Sequence, residues 1–214
     1  MKIVKNMAFG GVAAVLLAMS AFSQVAHAAN LVTNGSFEAE SQAAGGFSVL
    51  PSLTGWSSGS GGIELRNNYS GQAYDGVNYV ELDTHFNSFA SQNISTTLGQ
   101  AYSLSFAYAP RENVSAGSNG IEVFWNTFSL GMFTGNGGSS GNAWVIQNLT
   151  VTGLATTSTL EFRAVGTSDA FGGSLDAVSL TVAAVPEPEA YAMMLAGLGM
   201  LGLAARRRKQ QTTA

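Results

Sequence analysis

Two carboxylic acids and a histidine lie close together in the sequence and are its clearest candidates for acid–base chemistry. Glu81 and Asp83 are two residues apart, so on a strand their side chains share one face. A glycosidase needs two carboxyl groups roughly 5 to 9 Å apart, one of them with a raised pKa. No neighbouring residues indicate such an environment, and no Gly-x-Ser-x-Gly sequence follows a strand and opens a helix, the context that would place a serine for His85 to activate. We therefore predict no catalytic residues, and a hydrolase is the least favoured hypothesis.

A set of aromatic and polar side chains is instead typical of sugar binding, in which flat rings stack on a pyranose and a few polar groups orient it. Tyr69 closely follows Arg66, and Arg111 begins a second short polar stretch, so two loops would form one patch at an end of the fold. The alternative is that Trp144 packs in the core and that the arginines are solvated. The predicted ligand-binding residues are Arg66, Tyr69, Tyr74, His85, Arg111 and Trp144.

The elements that would position these residues are short β-strands. Apolar residues alternate along residues 102–108, 121–125 and 160–163. Leu175, Ala177 and then Ser179 or Leu180 close the domain. Clusters rich in glycine, serine and asparagine separate these segments, and no segment between about 29 and 184 has helical periodicity. Several short strands at such spacing predict an all-β antiparallel sandwich, with Trp56 and Trp125 in its core.

The order of these segments resembles the galactose-binding-like jelly rolls, a group that includes many bacterial carbohydrate-binding modules. The resemblance rests on Asn30–Glu38 followed by Gly55-Trp56, on Tyr79–Asp83 followed by Gly99–Phe106, and on Leu175–Leu180. It implies a jelly-roll sandwich whose first strand is Asn30–Glu38 and whose last is Leu175–Leu180. Because one fold serves many functions, the resemblance bears on the fold more directly than on any ligand.

The same resemblance implies a structural calcium ion between the first and last strands. Glu38 and Asp176 match the positions of its side-chain ligands, and backbone carbonyl groups near Asn34 would complete the shell. Calcium takes six to eight oxygen ligands, so an acidic domain suits it. The alternative is that Glu38 caps a turn and that Asp176 binds backbone groups at the start of a strand.

The N-terminal segment has the three parts of a secretory signal peptide. Lys2 and Lys5 precede an apolar run over residues 7–18, and the small residues Ala26 and Ala28 flank His27 as at a cleavage site. The run is shorter than the roughly 20 apolar residues of a permanent membrane span. We predict that the secretion machinery and signal peptidase remove residues 1–28; an uncleaved anchor is the alternative.

Residues 185–209 combine a Pro-Glu-Pro motif, an apolar segment over residues 190–205 and a basic cluster. The positive-inside rule places such a cluster on the cytoplasmic side, so we predict a short transmembrane helix, with an ordinary anchor as the alternative. The tail resembles the PEP-CTERM sorting signal, which implies recognition by an exosortase, a membrane-embedded cysteine protease, in a setting with exopolysaccharide, biofilm or floc. The sorting residues are Pro186, Glu187, Pro188, Arg206, Arg207 and Arg208.

The composition of the segment between these signals narrows the function further. Three arginines face eleven acidic residues there, a net charge of −8 within a chain whose overall charge is −4. Such a domain repels nucleic acid and anionic lipid, since both are bound through Lys and Arg. The chain has no cysteine, which excludes disulfides and thiolate chemistry.

Three functional hypotheses follow for the predicted domain 29–184. The favoured one is a surface or matrix module that binds carbohydrate, with exopolysaccharide as its partner. The second is a structural matrix protein of biofilm or floc without a specific ligand. The third is an extracellular hydrolase. In all three the chain is exported from a Gram-negative-type cell, and it contacts the membrane only through the C-terminal helix before processing.

Overall fold

The computed structural model describes residues 29–183, 192, 194–202 and 206. Residues 29–183 form twelve β-strands and no helix, which confirms the prediction of an all-β antiparallel fold. The strands are β1 Phe47–Leu50, β2 Ser52–Leu53, β3 Trp56–Ser58, β4 Ile63–Asn67, β5 Asn78–Glu81, β6 Phe89–Ser95, β7 Ala101–Ala109, β8 Gly120–Trp125, β9 Phe128–Phe133, β10 Val145–Thr152, β11 Thr157–Val165 and β12 Ser174–Val182.

Two six-stranded antiparallel sheets form a jelly-roll sandwich. The front sheet has the order β1-β4-β5-β12-β7-β10, and the back sheet has the order β2-β3-β6-β11-β8-β9. Most neighbours in each sheet are distant in sequence; β12, for example, lies between β5 and β7. The front sheet therefore brings together residues from five separate stretches of the chain, and it carries the candidate site.

The core lies between the sheets and follows from the alternation along the strands. In β7 the side chains of Tyr102, Leu104, Phe106 and Tyr108 are buried, as predicted. Phe106 of the front sheet packs edge-on against Phe162 of the back sheet, with ring centroids 5.0 Å apart. Each such aromatic pair adds about 1 kcal/mol to the burial of its apolar surface. Trp56 and Trp125 also lie in this core, as predicted.

The outer face of the front sheet is also largely buried, although its side chains are polar. Ile63 and Leu65 face the core, so Glu64 and Arg66 of the same strand point outward. Both are nevertheless buried, as is Glu81 on the neighbouring strand β5. The connecting segments 68–77, 84–87, 110–119 and 166–173 lie over this face and cover it.

The predicted first strand at Asn30–Glu38 is wrong. The segment is a series of turns, because Asn34 and Phe37 have φ angles of 53° and 59°, which lie outside the extended region of a regular β-strand. It still lies along β12: Leu31 N–H donates to the Leu180 carbonyl at 2.8 Å, and Val178 N–H donates to the Gly35 carbonyl at 2.9 Å. Phe37 is fully buried, so the segment belongs to the sandwich without being a strand.

The last strand is present, but its predicted alternation is partly wrong. A β-bulge lies between Asp176 and Ser179 in the pairing with β7, and Ala177 has a φ of 49°. The bulge inserts one extra residue and so reverses the side-chain order after it. Val178 and Leu180 therefore face the core in place of Ala177 and Ser179.

Residues 194–202 are helical and mostly exposed, and Arg206 is also helical and exposed. Among the residues described, no helix has both the length and the apolar character needed to cross a membrane. The predicted signal peptide 1–28 lies outside the described residues. The same holds for Pro186, Glu187, Pro188, Arg207 and Arg208.

Candidate functional site

A pocket of about 200 Å³ opens on the outer face of the front sheet. Strands β1 and β4 and four connecting segments, 68–77, 84–87, 110–119 and 166–173, contribute its lining residues. Phe47 and Tyr69 form one aromatic wall, with ring centroids 4.8 Å apart. Polar groups face this wall, so the pocket combines flat rings with hydrogen-bonding side chains. The lining residues are Phe47, Val49, Glu64, Tyr69, Thr84, His85, Arg111 and Ala170.

A cluster of four charged side chains lies beneath and beside this pocket. Arg66 Nε donates to Glu64 Oε1 at 2.7 Å, and the Arg66 guanidinium also forms an ion pair with Glu81. Arg111 Nη1 donates to the same Glu81 oxygen at 3.1 Å and to the Ala170 carbonyl at 3.2 Å. The charges of the two arginines and the two carboxyl groups cancel when both carboxyl groups are ionised. Its interactions fix Arg111 at the wall of the pocket.

Cation–π contacts hold both arginines against rings at the same face. The Arg66 guanidinium carbon lies 5.6 Å from the centroid of Tyr69, and that of Arg111 lies 4.5 Å from the centroid of Phe171. Such contacts add about 0.5 to 2 kcal/mol each, depending on their burial. The ring of Tyr69 is therefore set in place by Phe47 on one side and Arg66 on another.

A second aromatic patch lies on the same face beyond Tyr79. Trp144 packs edge-on against Tyr79 and Tyr74, with ring centroids 5.6 and 6.3 Å apart. Its indole N–H donates to the Gln72 carbonyl at 2.8 Å. Tyr74 is 50% exposed, whereas Tyr79 is completely buried. Tyr74 and Trp144 thus form an aromatic surface beside the pocket rather than part of its lining.

The six residues predicted from the sequence for ligand binding are divided between these features. Tyr69, His85 and Arg111 line the pocket together. Arg66 lies under it with 1% exposure and holds other side chains. The other two, Tyr74 and Trp144, form the neighbouring patch.

Five lining residues escaped the sequence analysis: Phe47, Val49, Glu64, Thr84 and Ala170. Phe47 and Val49 belong to β1, which pairs with β4 so that Phe47 lies opposite Arg66 and Val49 opposite Glu64. The alternation of apolar residues in Phe47–Leu50 is the signal that would have indicated this strand. Nothing local to Ala170 indicates its role, because the segment 166–173 reaches the pocket only through the fold.

Glu81 and Asp83 hold one of the walls and do not face open space. Glu81 Oε1 accepts the Gly172 N–H at 2.7 Å, while its other oxygen binds the two arginines. Asp83 Oδ2 accepts the Asp169 N–H at 3.0 Å. Burial raises the pKa of Glu81 to about 8, and Arg66 and Arg111 oppose this rise. Both carboxyl groups are fully buried, so they anchor the segment 166–173.

The calcium ligands implied by the resemblance, Glu38 and Asp176, lie at the opposite edge of the site. Glu38 Oε1 and Asp176 Oδ2 each accept two backbone N–H groups. A cation would have to compete with those donors for the same lone pairs, so this arrangement does not fit a calcium ion well. Among the described residues no group of three or more His, Cys, Asp or Glu side chains is arranged to hold a metal.

A larger cavity of about 440 Å³ lies at another place, between the edge strands β9 and β10. It is mostly apolar. The two strands contain no charged residue and expose Phe128, Met132 and Val145. The residues lining this cavity are Tyr108, Pro110, Met132, Phe133, Thr134, Gly135, Ala143, Val145 and Gln147.

Comparison with solved structures gives likenesses across most of the domain. A cyclase from Fischerella sp. TAU, solved with 4-(1H-indol-3-yl)butan-2-one, is 14% identical with a TM-score of 0.55 and covers 75% of this chain and 100% of its own. This likeness shows the fold. A family 35 carbohydrate-binding module from Clostridium thermocellum is 12% identical with a TM-score of 0.45 and covers 64% of this chain and 99% of its own. TmCBM61 in complex with β-1,4-galactotriose is 16% identical with a TM-score of 0.48 and covers 73% of this chain and 100% of its own.

Two curated sequences are also similar to the chain. Both are multifunctional-autoprocessing repeats-in-toxin proteins, from Vibrio cholerae serotype O1 (strain ATCC 39315 / El Tor Inaba N16961) and Vibrio vulnificus. Each is 32% identical to this chain, over 161 and 163 residues respectively. The matches cover 72% and 73% of this chain, but the chain spans only 3% of the length of either toxin. The similarity is thus to one small part of a very long protein.

The C-terminal segment gives the most specific match. Residues 184–209 match the family model described as the PEP-CTERM protein-sorting motif. The match contains the Pro-Glu-Pro sequence, the apolar segment and the arginine cluster that the sequence analysis singled out. The chain therefore carries a PEP-CTERM sorting motif, the signal of a protein that is exported and sorted to the cell surface.

Proposed function

We propose that this chain is an exported, non-catalytic carbohydrate-binding protein whose sugar site is the pocket on the outer face of the front sheet. The observation that carries the proposal is the meeting of Tyr69, His85 and Arg111 at one pocket. The aromatic wall offers a flat apolar surface to a pyranose ring, and the arginine and histidine offer hydrogen bonds to its hydroxyl groups.

The size and charge of the pocket narrow the class of ligand. Its volume of about 200 Å³ lies below the roughly 300 to 1,000 Å³ of pockets that enclose drug-sized ligands, so it suits a single sugar unit. The net charge of −8 on the domain favours a neutral sugar over a strongly anionic one. The aromatic patch of Tyr74 and Trp144 offers a surface for a neighbouring unit of the same chain.

A binding role fits the carboxyl groups better than a catalytic one does. Glu81 and Asp83 are buried and bound to backbone N–H groups or arginines. Glu64 is the one carboxylic acid that lines the pocket, and hydrolysis of a glycosidic bond needs a pair. The fold alone does not decide the matter, because the Fischerella cyclase shares it.

The cellular part of the proposal rests on the sorting motif. We assign processing to an exosortase that recognises residues 184–209, after export by the secretion machinery and removal of the leader by signal peptidase. An exopolysaccharide outside the cell is then the partner that the sugar site would meet. The net charge of −8 on the domain keeps nucleic acid from competing for it.

Isothermal titration calorimetry of the purified full chain tests the proposal against a panel of neutral and uronate-containing oligosaccharides. We expect saturable binding of at least one neutral member, weakened more than about 10-fold by Tyr69→Ala, since stacked rings contribute over 1 kcal/mol. Phe128→Ala is the matched control, because Phe128 is an exposed ring on the back sheet. Binding that Tyr69→Ala leaves unchanged would refute the proposed site.

The same titrations bear on the structural alternative. The uncharged edge strands β9 and β10 favour it, since exposed edges without charges are prone to pair with other strands. No binding to any member of the panel, together with self-association that increases with protein concentration, would support a matrix protein without a specific ligand.

A further inference from the structure

The loop formed by residues 68–77, between β4 and β5, supplies both aromatic parts of the proposed sugar site. Tyr69 at its start lines the pocket, and Tyr74 near its middle belongs to the neighbouring patch. The sequence of the loop is rich in glycine and polar residues, which do not by themselves hold a fixed shape. The position of the two rings therefore depends on what anchors the backbone of the loop.

Asp176 of β12 anchors the middle of the loop. Its Oδ2 accepts the N–H groups of Tyr74 at 2.8 Å and Asp75 at 2.9 Å. Its Oδ1 accepts the N–H of Ala177 at 2.6 Å, at the bulge that turns the side chain toward the loop. Asp176 is fully buried, so each of these hydrogen bonds is shielded from water.

Glu38 anchors the end of the loop in the same way. Its Oε1 accepts the N–H groups of Val77 at 2.7 Å and of Asn78, the first residue of β5, at 2.6 Å. Gly76 lies between the two anchored pairs with a φ of +73°. A side chain at Gly76 would overlap the Glu38 carboxyl group, so the close approach requires glycine.

We propose that Glu38 and Asp176 are positioning residues that hold the 68–77 loop through four backbone N–H groups, in place of the calcium ion that the family resemblance implies. Four N–H dipoles present partial positive charge to two carboxyl groups, which is the role a bound cation would otherwise fill. This inference rests on the proposed function in one respect, which is that Tyr69 and Tyr74 of the loop belong to the proposed sugar site. The anchoring itself can be tested without any sugar.

Substitutions of Glu38 distinguish a carboxyl group that holds backbone N–H groups from one that binds a metal ion. Glu38 uses one oxygen for both N–H groups, so Gln, whose amide oxygen also accepts two hydrogen bonds, can replace it. Glu38→Ala removes the acceptor altogether. A calcium site would be weakened by either change, because both remove a charged ligand.

The test is amide hydrogen exchange on the purified full chain, measured by NMR in EDTA and again in excess calcium chloride. We expect equal protection of the four loop N–H groups in both solutions, and no change in the thermal midpoint. Glu38→Gln should retain the protection of Val77 and Asn78, and Glu38→Ala should reduce it by about 10-fold or more, the value of a lost hydrogen bond to a charged group. Glu122→Ala, which removes an acid bonded to Ser129 on the back sheet, is the control.

A pair of glycine variants tests the same contact without removing a carboxyl group. Gly76 and Gly99 have similar φ angles of +73° and +79°, but nothing lies within 4 Å of the position of a Cβ at Gly99. Gly76→Ala and Gly99→Ala therefore carry the same backbone strain. Only Gly76→Ala should speed exchange at Val77 and Asn78 beyond the change in global stability.

Three results would overturn the proposal that Glu38 and Asp176 hold the loop through backbone N–H groups. The first is calcium that raises the thermal midpoint of the wild type but not that of Glu38→Gln. The second is unchanged exchange at Val77 and Asn78 in Glu38→Ala. The third is a sugar affinity that Glu38→Ala leaves unaltered while exchange increases, which would remove the positioning role. Failure to find any sugar ligand would count against the proposed function alone, because the exchange results do not depend on a ligand.

Discussion

The charged side chains under the pocket are buried, so substituting a single one of them strongly lowers the stability of the fold. Arg66 is 1% exposed and forms ion pairs with Glu64 and Glu81, which are themselves buried. Removing one member of such a group leaves the others unpaired in a medium that disfavours charge. The cluster therefore specifies the arrangement of the face more than it adds net stability.

We predict that Arg66→Ala lowers the free energy of unfolding by about 3 to 5 kcal/mol, the cost of breaking a buried ion pair. Arg163→Ala is the matched control, since Arg163 pairs with Glu161 at the surface with its side chain 50% exposed. Surface pairs contribute about 0 to 1 kcal/mol. Urea denaturation of both variants checks the difference, and equal losses would contradict the role of the cluster.

Asp176 gives the stability of the domain a dependence on pH. Burial raises its pKa to about 7 from an ordinary value of 3.8, although its backbone N–H partners oppose the rise. Between these values the folded state keeps a proton that the unfolded state has released. The free energy of unfolding therefore falls as the pH rises from about 4 to about 7, by at most about 4 kcal/mol.

Urea denaturation at several pH values, with Asp176→Asn as the comparison, measures this dependence. The variant lacks the titrating group, so its decline between pH 4 and 7 should be shallower than that of the wild type. A decline remains in both proteins because burial also raises the pKa of Glu81, to about 8. Identical slopes in the two proteins would exclude Asp176 as their source.

Among the elements, those with regular alternation were predictable and those with positive φ angles were not. Strands β7, β8 and β11 bury every second residue, and the sequence shows it directly. The segment Asn30–Glu38 has apolar residues suited to a strand, but Asn34 and Phe37 turn the backbone away. The bulge in β12 cannot be recognised from the alternation either. An extra residue is identified only by comparing the strand with the residues that it pairs with on its partner.

The N-terminal segment is nonetheless essential to the sandwich, and Gly35 shows why. A Cβ at Gly35 would overlap the carbonyl oxygen of Val178 in β12, whereas a Cβ at Gly138 meets nothing within 4 Å. We predict that Gly35→Ala destabilises the fold by about 3 kcal/mol or more, as severe overpacking does, and that Gly138→Ala has little effect. Thermal unfolding of both variants decides; an unchanged midpoint in Gly35→Ala would mean that the segment does not pack on β12.

For the molecule as a whole, strand number and spacing predicted the sandwich and the family resemblance predicted its jelly-roll form, but the order of the strands within each sheet was not predictable from the alternation. The front sheet joins β4 and β5 to β12, from the far end of the domain, and such pairing depends on long-range packing. The assembly of the site depends on long-range packing in the same way. Tyr69 was predictable as a ligand-binding residue because polar residues closely precede it in the sequence. Its contact with the same pocket as Phe47, His85 and Ala170 depends on the folded loops.

The proposed function places bound carbohydrate on the outer face of the front sheet, where Tyr69, His85 and Arg111 line the pocket. The most direct measurement is a map of NMR chemical-shift changes on the full chain, titrated with the tightest oligosaccharide of the calorimetric panel. We predict that the largest changes cluster around Phe47, Tyr69, His85 and Arg111, with smaller ones at Tyr74. Changes centred on Met132 and Val145, in the cavity between β9 and β10, would show that the sugar site is not the pocket on the front sheet.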